Sequence, residues 1–442
     1  MMNRNPLHTD GRWFKDEEGR VVILRGVNVA GNSKVPPFVP FRHGSFFDPL
    51  ARWGMNVIRL VLVWEAIEPQ PGQYNNGYID AVESLVTAAG ERGVYVILDM
   101  HQDMFSRYLD GGCGDGCPSW AIDPSIPQDT PVNDHTCIGW YMGISDDRVL
   151  RAFDSFFRNV NGVQSRYVAM WAHMAKRFSA HPAVIGYDII KEPIGDEVSQ
   201  IAPFYEEVGA TIRQADPDCI LFIESDIVAT ISAGQSQLPR LSLGNFAYAP
   251  HFYSPSMTVL DTFVPAEAET AFAAFDAKAN DLGGIPLLLG EFGAPPFKAC
   301  VSEYMADLYR RIDERFWSGT QWNYTPEWDP VDFDRWNKED FSIVDDKGSP
   351  RRNFAVRACA QRVAGTPRKL EVSSERVYFE WDNDPRVAAA TILYVPVDIV
   401  FQGSAYDIVG GPSVRCEVDR QNRLLTCTTS GSGIRTVEVK AT

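Results

Sequence analysis

Two glutamates stand at matching places in this sequence. Residues 183–193 read Ala-Val-Ile-Gly-Tyr-Asp-Ile-Ile-Lys-Glu-Pro, an apolar run that ends in Glu192 and is stopped by Pro193. Its length, its Val and Ile content and the proline before it predict a buried strand. Proline cannot continue a central ladder, so Glu192 falls where the strand opens into a loop. Residues 285–293 repeat the pattern, with Glu291 at the strand end and Gly293 releasing it. Two carboxyl groups at the ends of two parallel strands can serve as a proton donor and a nucleophile or base, the pair that cleavage of a glycosidic bond requires. A single strand-end glutamate is more often a helix cap or an ion-pair partner; two at matched ends reverse that weighting. Glu65, Glu68 and Glu224 compete as strand-end acids, but none has so clear a glycine or proline behind it.

The elements that must position this pair alternate. Strands are predicted at residues 21–28, 56–64, 94–100, 183–190, 219–225, 245–253, 285–291 and 320–328. Helical periodicity falls at residues 46–53, 79–92, 146–179 (interrupted near 159–162), 199–215, 265–282, 301–318 and 354–363. Eight strands alternating with helices predict a (β/α)8 TIM barrel. Positions 192 and 291 are 99 residues apart, three steps of about the length of a βαβ unit. Residues 12–20 read as a hairpin capping the barrel floor, and residues 104–145 as a long irregular insertion of the kind that usually carries function. After residue 365 the texture becomes short β-branched runs between Gly, Asn and Asp turns, which predicts an all-β sandwich. The expected division is residues 1–365 for the barrel and 366–442 for the sandwich.

The bulk numbers narrow the partners. The 442 residues carry a net charge of −17, with 22% charged and 45% hydrophobic residues. No basic footprint exists, so nucleic acid is not an expected partner. No apolar stretch reaches membrane-spanning length. The first residues lack the apolar core of a signal peptide, so the chain is either cytosolic or secreted with its signal absent from this sequence. The eight cysteines favour secretion. Cys113, Cys117 and Cys137 share the insertion, and Cys416 and Cys427 flank a hairpin. A zinc site would need Cys113, Cys117, Cys137 and His135, a spacing that fits no standard structural site, so disulfides are the favoured reading and no metal is expected.

Further residues fall at strand ends in a set order: Arg59 in Gly-Met-Asn-Val-Ile-Arg-Leu, His101 and Asp103 in Asp-Met-His-Gln-Asp, His251 and Tyr253 in His-Phe-Tyr, and Trp322 in Gln-Trp-Asn-Tyr. With Glu192 and Glu291 this set resembles glycoside hydrolase family five over residues 20–360. Within it the chain is most similar to the endoglycoceramidases, including the endogalactosylceramidase type. The resemblance implies a retaining endo-β-glycosidase that separates oligosaccharide from ceramide by double displacement, without a cofactor. It implies a glycosphingolipid substrate and transient contact with a micelle or membrane surface. An endo-β-glucanase or β-glucosidase of the same fold is the alternative.

Glu291 is then the nucleophile and Glu192 the acid/base. Arg59 and Tyr253 are expected to hold Glu291 ionised and in place. Charge on Glu291 is expected to raise the Glu192 pKa until glycosylation removes it. Lys34, His101, Asp103, Trp140, Lys191, His251 and Trp322 are the expected sugar contacts, with Trp322 as the platform. Taken singly, His101 would be an ordinary buried histidine, and Trp140 and Trp322 ordinary packing. Lys191 departs from the family, which has asparagine before the acid/base at the sugar 2-hydroxyl. Because an ammonium beside Glu192 would spoil proton donation, Lys191 is expected to point away from Glu192, towards Glu291 and that hydroxyl. The loops at residues 36–41, 104–145 and 295–297 are expected to form the ceramide groove.

Overall fold

A computed structural model describes residues 7–132, 136–137, 140–231, 235–403 and 405–442, with residues 140–142 and 231 described by their backbone alone. Eight parallel strands form the barrel: Arg25–Val29, Val57–Val63, Tyr95–His101, Val184–Asp188, Ile220–Ile223, Phe246–Tyr248, Leu288–Leu289 and Ser318–Tyr324. Apart from the half-buried Tyr95, each is buried along its whole length, as parallel strands covered on both faces must be. The first seven neighbours follow chain order, the eighth strand pairs with both the first and the seventh, and a parallel bridge between Tyr248 and Leu287 closes the ring. Two short strands, His251–Phe252 and Glu291–Phe292, extend the sixth and seventh and pair in parallel, setting His251 directly beside Glu291.

The hairpin Leu7–Asp10/Trp13–Asp16 does cap the floor. Leu7, Phe14, Val22 and Leu24 pack with Val57, Ile97, Ile185, Ile220, Phe222 and Leu288 inside the barrel bottom. The same hairpin also continues through Val21–Val22 into a seven-stranded sheet of the C-terminal sandwich. The second sheet of the sandwich has four antiparallel strands, Gly365–Val372, Arg376–Asn383, Tyr406–Gly410 and Gly433–Ala441. The helix expected at residues 354–363 is instead an approach segment and a strand, Cys359–Val363. That strand pairs with Val21–Val22 on one side and Thr391–Tyr394 on the other. An alanine-rich segment with helical propensity is overridden here by two sheet partners.

In the insertion, Cys113 is bonded to Cys137 and Cys117 is a buried free thiol. That excludes the alternative metal set; His135 lies outside the described residues. Cys416 and Cys427 face each other in register across Val414–Asp419 and Leu424–Thr429, sulfur to sulfur 2.8 Å, as thiols.

Candidate active site

Arg59, Asp99, His101, Asp103, Asp188, Lys191, Glu192, Glu224, His251, Tyr253 and Glu291 meet at the C-terminal mouth of the barrel. Arg59 is at the centre and fully buried. Its guanidinium donates to Asp188 Oδ2 (2.8 Å), Asp99 Oδ1 (2.8 Å), Glu224 Oε1 (3.1 Å), Glu291 Oε1 (2.8 Å) and Asn28 Oδ1 (3.1 Å). One planar fork thus fixes groups from the first, third, fourth, fifth and seventh barrel strands or their ends.

Glu291 accepts from Arg59 on Oε1 and from the Tyr253 hydroxyl on Oε2 at 2.8 Å. Burial pushes its pKa up, but His251, Lys191 and Arg59 together bring it far below the usual carboxylate range. It is therefore ionised and held on both oxygens, as a nucleophile must be. The preceding Gly290 is needed for the close approach of His251: a Cβ there would lie 2.9 Å from His251 Nε2.

Glu192 sits four residues beyond its strand, in the left-handed backbone region at φ 43°. A non-glycine residue there is held against a cost of about 1–3 kcal/mol, and the surroundings supply the restraint. Its N–H donates to Glu224 Oε2 (2.9 Å), and its carbonyl accepts from Gln102 Nε2 (2.9 Å), which also donates to the Lys191 carbonyl (2.8 Å). The Glu192 side chain is 13% exposed, against 3% for Glu291, so it is the carboxyl that faces arriving solute. Its Oε1 lies 2.8 Å from His251 Nδ1. His251 Nε2 lies 3.1 Å from Glu224 Oε1, without good hydrogen-bond direction. Although burial disfavours its charge, Glu224, Glu291 and Glu192 push the His251 pKa up to about 10.

Lys191 does not point away from Glu192. Its Nζ lies 2.5 Å from Glu192 Oε2 and 2.7 Å from Asp103 Oδ1. Asp103 draws the side chain this way, because burial makes an unpaired ammonium expensive and Asp103 is the buried carboxylate within reach. The Glu192 pKa is consequently lowered: burial and Glu291 push it up, and Lys191 and His251 outweigh them. The expected elevation by Glu291 is overridden.

Asp103 also holds Lys34, whose Nζ lies 2.8 Å from Oδ2 and sits 3.8 Å above the Trp336 ring and 4.6 Å above the Trp322 ring. His101 gives Nδ1 to Asp99 (2.8 Å), stacks on Trp322 at 5.4 Å, and has its pKa pushed up to about 9 by Asp99 and Asp103 against the effect of burial. Trp322 is nearly buried, and its indole N–H finds no partner among the described residues. The backbone of Trp140 lies in the short helix Trp140–Ser145; its side chain is outside the described residues. Glu65 is taken up by Arg107 and Tyr108, and Glu68 by Trp64 and Gly72, away from this cluster.

Several members escaped the sequence reading, among them Asn28, Gln102, Trp336 and four acids. Asp99 was visible only within the His101 motif, and Glu224 only as a competing acid; Asp188 precedes Glu192 as an unremarked strand residue. Asp115 lies in the Gly-rich loop, fully buried behind Asp103, with its carboxyl pushed well up by burial and then by Asp103. One oxygen of Glu192, one of Glu291 and a ring nitrogen of His251 lie within 4.8 Å of one another. The carboxylates of the site already face Arg59, Lys34 and Lys191, so we assign no metal ligand set to them. Carboxylates this close, one buried and the other more exposed to solute, are arranged for displacement at a carbon held between them.

A family model described as cellulase (glycosyl hydrolase family 5) matches residues 15–327. The chain is similar to an endoglycoceramidase of Hydra vulgaris, 27% identical over 281 residues that span 54% of this chain and 53% of that protein. It thus covers about half the length of that relative. It is also similar to endoglycoceramidase I of Rhodococcus hoagii (strain 103S), 24% identical over 466 residues, covering 98% of this chain and 88% of the relative. Among solved structures, endo-glycoceramidase II from Rhodococcus sp. in complex with ganglioside GM3 superposes with a TM-score of 0.84 at 26% identity, covering 98% of this chain and all of the other.

Proposed function

Because the chain belongs to glycosyl hydrolase family 5, the cellulase family, we propose that it is a retaining endo-β-glycosidase that cleaves the bond between oligosaccharide and ceramide in glycosphingolipids. The carrying observation is the approach of Glu192 and Glu291 to within 4.8 Å. Retaining enzymes hold the two carboxyls ~5–5.5 Å apart, whereas inverting ones leave ~6.5–9.5 Å for a water. Glu291 attacks the anomeric carbon while Glu192 protonates the departing oxygen. Glu192 then removes a proton from the water that releases the sugar. Lys34, His101, Asp103, Lys191, His251 and Trp322 surround the glycone, and Arg59 and Tyr253 hold the nucleophile.

The lipid part of the reading is supported by an apolar rim beside this mouth. Phe297, Val259 and Leu260 are exposed. They follow the short strands Glu291–Phe292 and His251–Phe252, and Lys298 Nζ to Thr258 O (2.8 Å) and Ala299 N to Asp261 Oδ1 (3.0 Å) tie their segments together. Phe41, expected in the same groove, is buried in the core instead. The Cys113–Cys137 bridge supports a secreted location, since disulfides persist in oxidising compartments.

The test is a panel of glucosyl- and galactosyl-linked oligosaccharide ceramides beside cellulose, with products identified by mass. Release of ceramide together with an intact oligosaccharide is expected. Reducing ends from cellulose with no ceramide released would replace this reading with the endoglucanase one.

A further inference from the structure

Both oxygens of the acid/base carboxyl have close basic neighbours, one an ammonium and the other a ring nitrogen of a histidine whose pKa is pushed up to about 10. Oε2 lies 2.5 Å from Lys191 Nζ and Oε1 lies 2.8 Å from His251 Nδ1. Neither is left to carry the proton that a departing alkoxide needs. We infer that Lys191 is a substrate-displaced clamp: it holds Glu192 as a carboxylate in the free enzyme, and the hydroxyl on the ring carbon next to the reacting one draws the ammonium off Glu192 so that the acid forms only in the bound complex. This rests on the glycosidase reading above and on Glu192 as its acid.

The placement carries the inference. The reacting carbon must lie between Glu192 and Glu291, whose nearest oxygens are within 4.8 Å. Lys191 borders Glu192 directly at 2.5 Å, and its charge also helps to lower the Glu291 pKa. It also lies on the side of Asp103, which holds Lys34 over Trp322 and Trp336. A sugar lying towards those rings brings the hydroxyl of the adjacent ring carbon to the ammonium first. An ammonium has three donors. One is given to Asp103 Oδ1, and Glu192 Oε2 stands at ion-pair distance. A free donor takes the hydroxyl, and Asp103 gives the group a fixed anchor on which to swing away from Glu192.

The charged groups facing Glu192 come from several elements. Lys191 precedes it on the same loop. His251 comes from the end of the sixth strand, Glu224 from the end of the fifth, where it accepts the Glu192 N–H, and Glu291 from the end of the seventh. Lys191 and His251 favour the carboxylate; burial and Glu291 oppose them. Moving Lys191 removes the largest of the favouring charges. Glu192 then takes a proton from solvent and passes it to the leaving oxygen as that oxygen's bond to the anomeric carbon breaks and the Glu291 bond forms. In the second half it accepts a proton from water as the water oxygen bonds to that carbon and the Glu291 bond breaks. When the sugar leaves, Lys191 returns and Glu192 gives that proton back to solvent, which balances the one taken up at the start.

The experiment compares pH profiles of kcat/KM and kcat for the native enzyme, Lys191→Asn and Lys191→Arg. It uses an aryl β-glycoside with a poor leaving group and a dinitrophenyl β-glycoside that needs no proton. On the poor leaving group, the native basic limb of kcat/KM, which reports the free enzyme, should lie at least one pH unit below that of kcat. Lys191→Asn should raise the kcat/KM limb at least tenfold in proton concentration, onto the kcat limb, and Lys191→Arg should leave it near the native position. The dinitrophenyl substrate should show no such limb in kcat/KM for any of the three. A 2-deoxy substrate with the native enzyme provides an arm that needs no variant: its kcat limb should stay down at the kcat/KM position. An unmoved kcat/KM limb in Lys191→Asn, or equal shifts in kcat and kcat/KM, would overturn the clamp. So would a normal kcat limb with the 2-deoxy substrate. Absence of turnover of either glycoside by the native enzyme would instead overturn the glycosidase reading beneath it.

Discussion

Replacing Arg59 by methionine removes the one cation that four carboxylates share. Asp99, Asp188, Glu224 and Glu291 all lie 2.8–3.1 Å from it, and Arg59 is fully buried. Breaking a buried ion pair by deleting one partner destabilises by about 3–5 kcal/mol, because the partner's charge stays buried without compensation. Unfolding entropy of about 2.1 cal/mol/K per residue gives ~0.9 kcal/mol/K for a chain of this length, so the loss should read as a fall in Tm of ~3–5 °C at pH 7.5. The pH dependence has a definite sign. Burial already pushes the Asp188 carboxyl above its ordinary value and Arg59 opposes that, so without Arg59 it rises further and the native state binds more protons than the unfolded one. Stability then falls as pH rises above the unfolded carboxylate range of about 4, and the deficit should shrink when the scan is repeated near pH 4.5. The same change raises the pKa of Glu291, which Arg59 helps to keep low, so the acid limb of activity on an aryl glycoside should move up. Calorimetry at the two pH values and a pH–rate profile check both parts. An unchanged Tm at pH 7.5 together with an unmoved acid limb would refute the reasoning.

Glu192→Ala should lose far more rate on a glycolipid than on a dinitrophenyl glycoside, since only the poor leaving group needs a proton; equal losses would deny it the acid role. His101 and His251, with pKa values pushed up to about 9 and about 10, contribute stability that is fully present below their unfolded pKa near 6.5 and is lost as pH rises through those values. Thermal unfolding should therefore show a falling Tm between pH 7 and pH 10, and a flat profile would contradict the buried imidazolium assignment. Oxidation should join Cys416 to Cys427, which stand in register on paired strands, and closing a loop of about a dozen residues is worth ~3 kcal/mol in the chain-entropy view. Mass spectrometry after mild oxidation would tell against the bridge if both thiols still took up alkylating reagent.

The barrel was legible because parallel strands buried on both faces leave unbroken apolar runs, as in residues 183–187 and 285–289, and because the helices between them keep their own period. The catalytic candidates were legible because glycine and proline mark where such strands release the chain. What stayed hidden depends on which residues the closed ring brings together. Residues 354–363 carry helical composition, yet two sheet partners claim half of that segment. The orientation of Lys191 could not be read from its neighbour in sequence. It follows from Asp103, a residue 88 positions away that also holds Lys34. Glu224 looked like a rival acid because nothing in its own stretch reveals that it supports Arg59 and the Glu192 backbone.

The central claim is cleavage between glycan and ceramide with retention, through Glu291 and Glu192. Time-resolved proton NMR of the first sugar released from an oligosaccharide ceramide in micelles tests it most directly. The predicted result is an intact oligosaccharide appearing first as the β anomer and only later mutarotating. First appearance of the α anomer, or of single sugars trimmed from the non-reducing end, would contradict it.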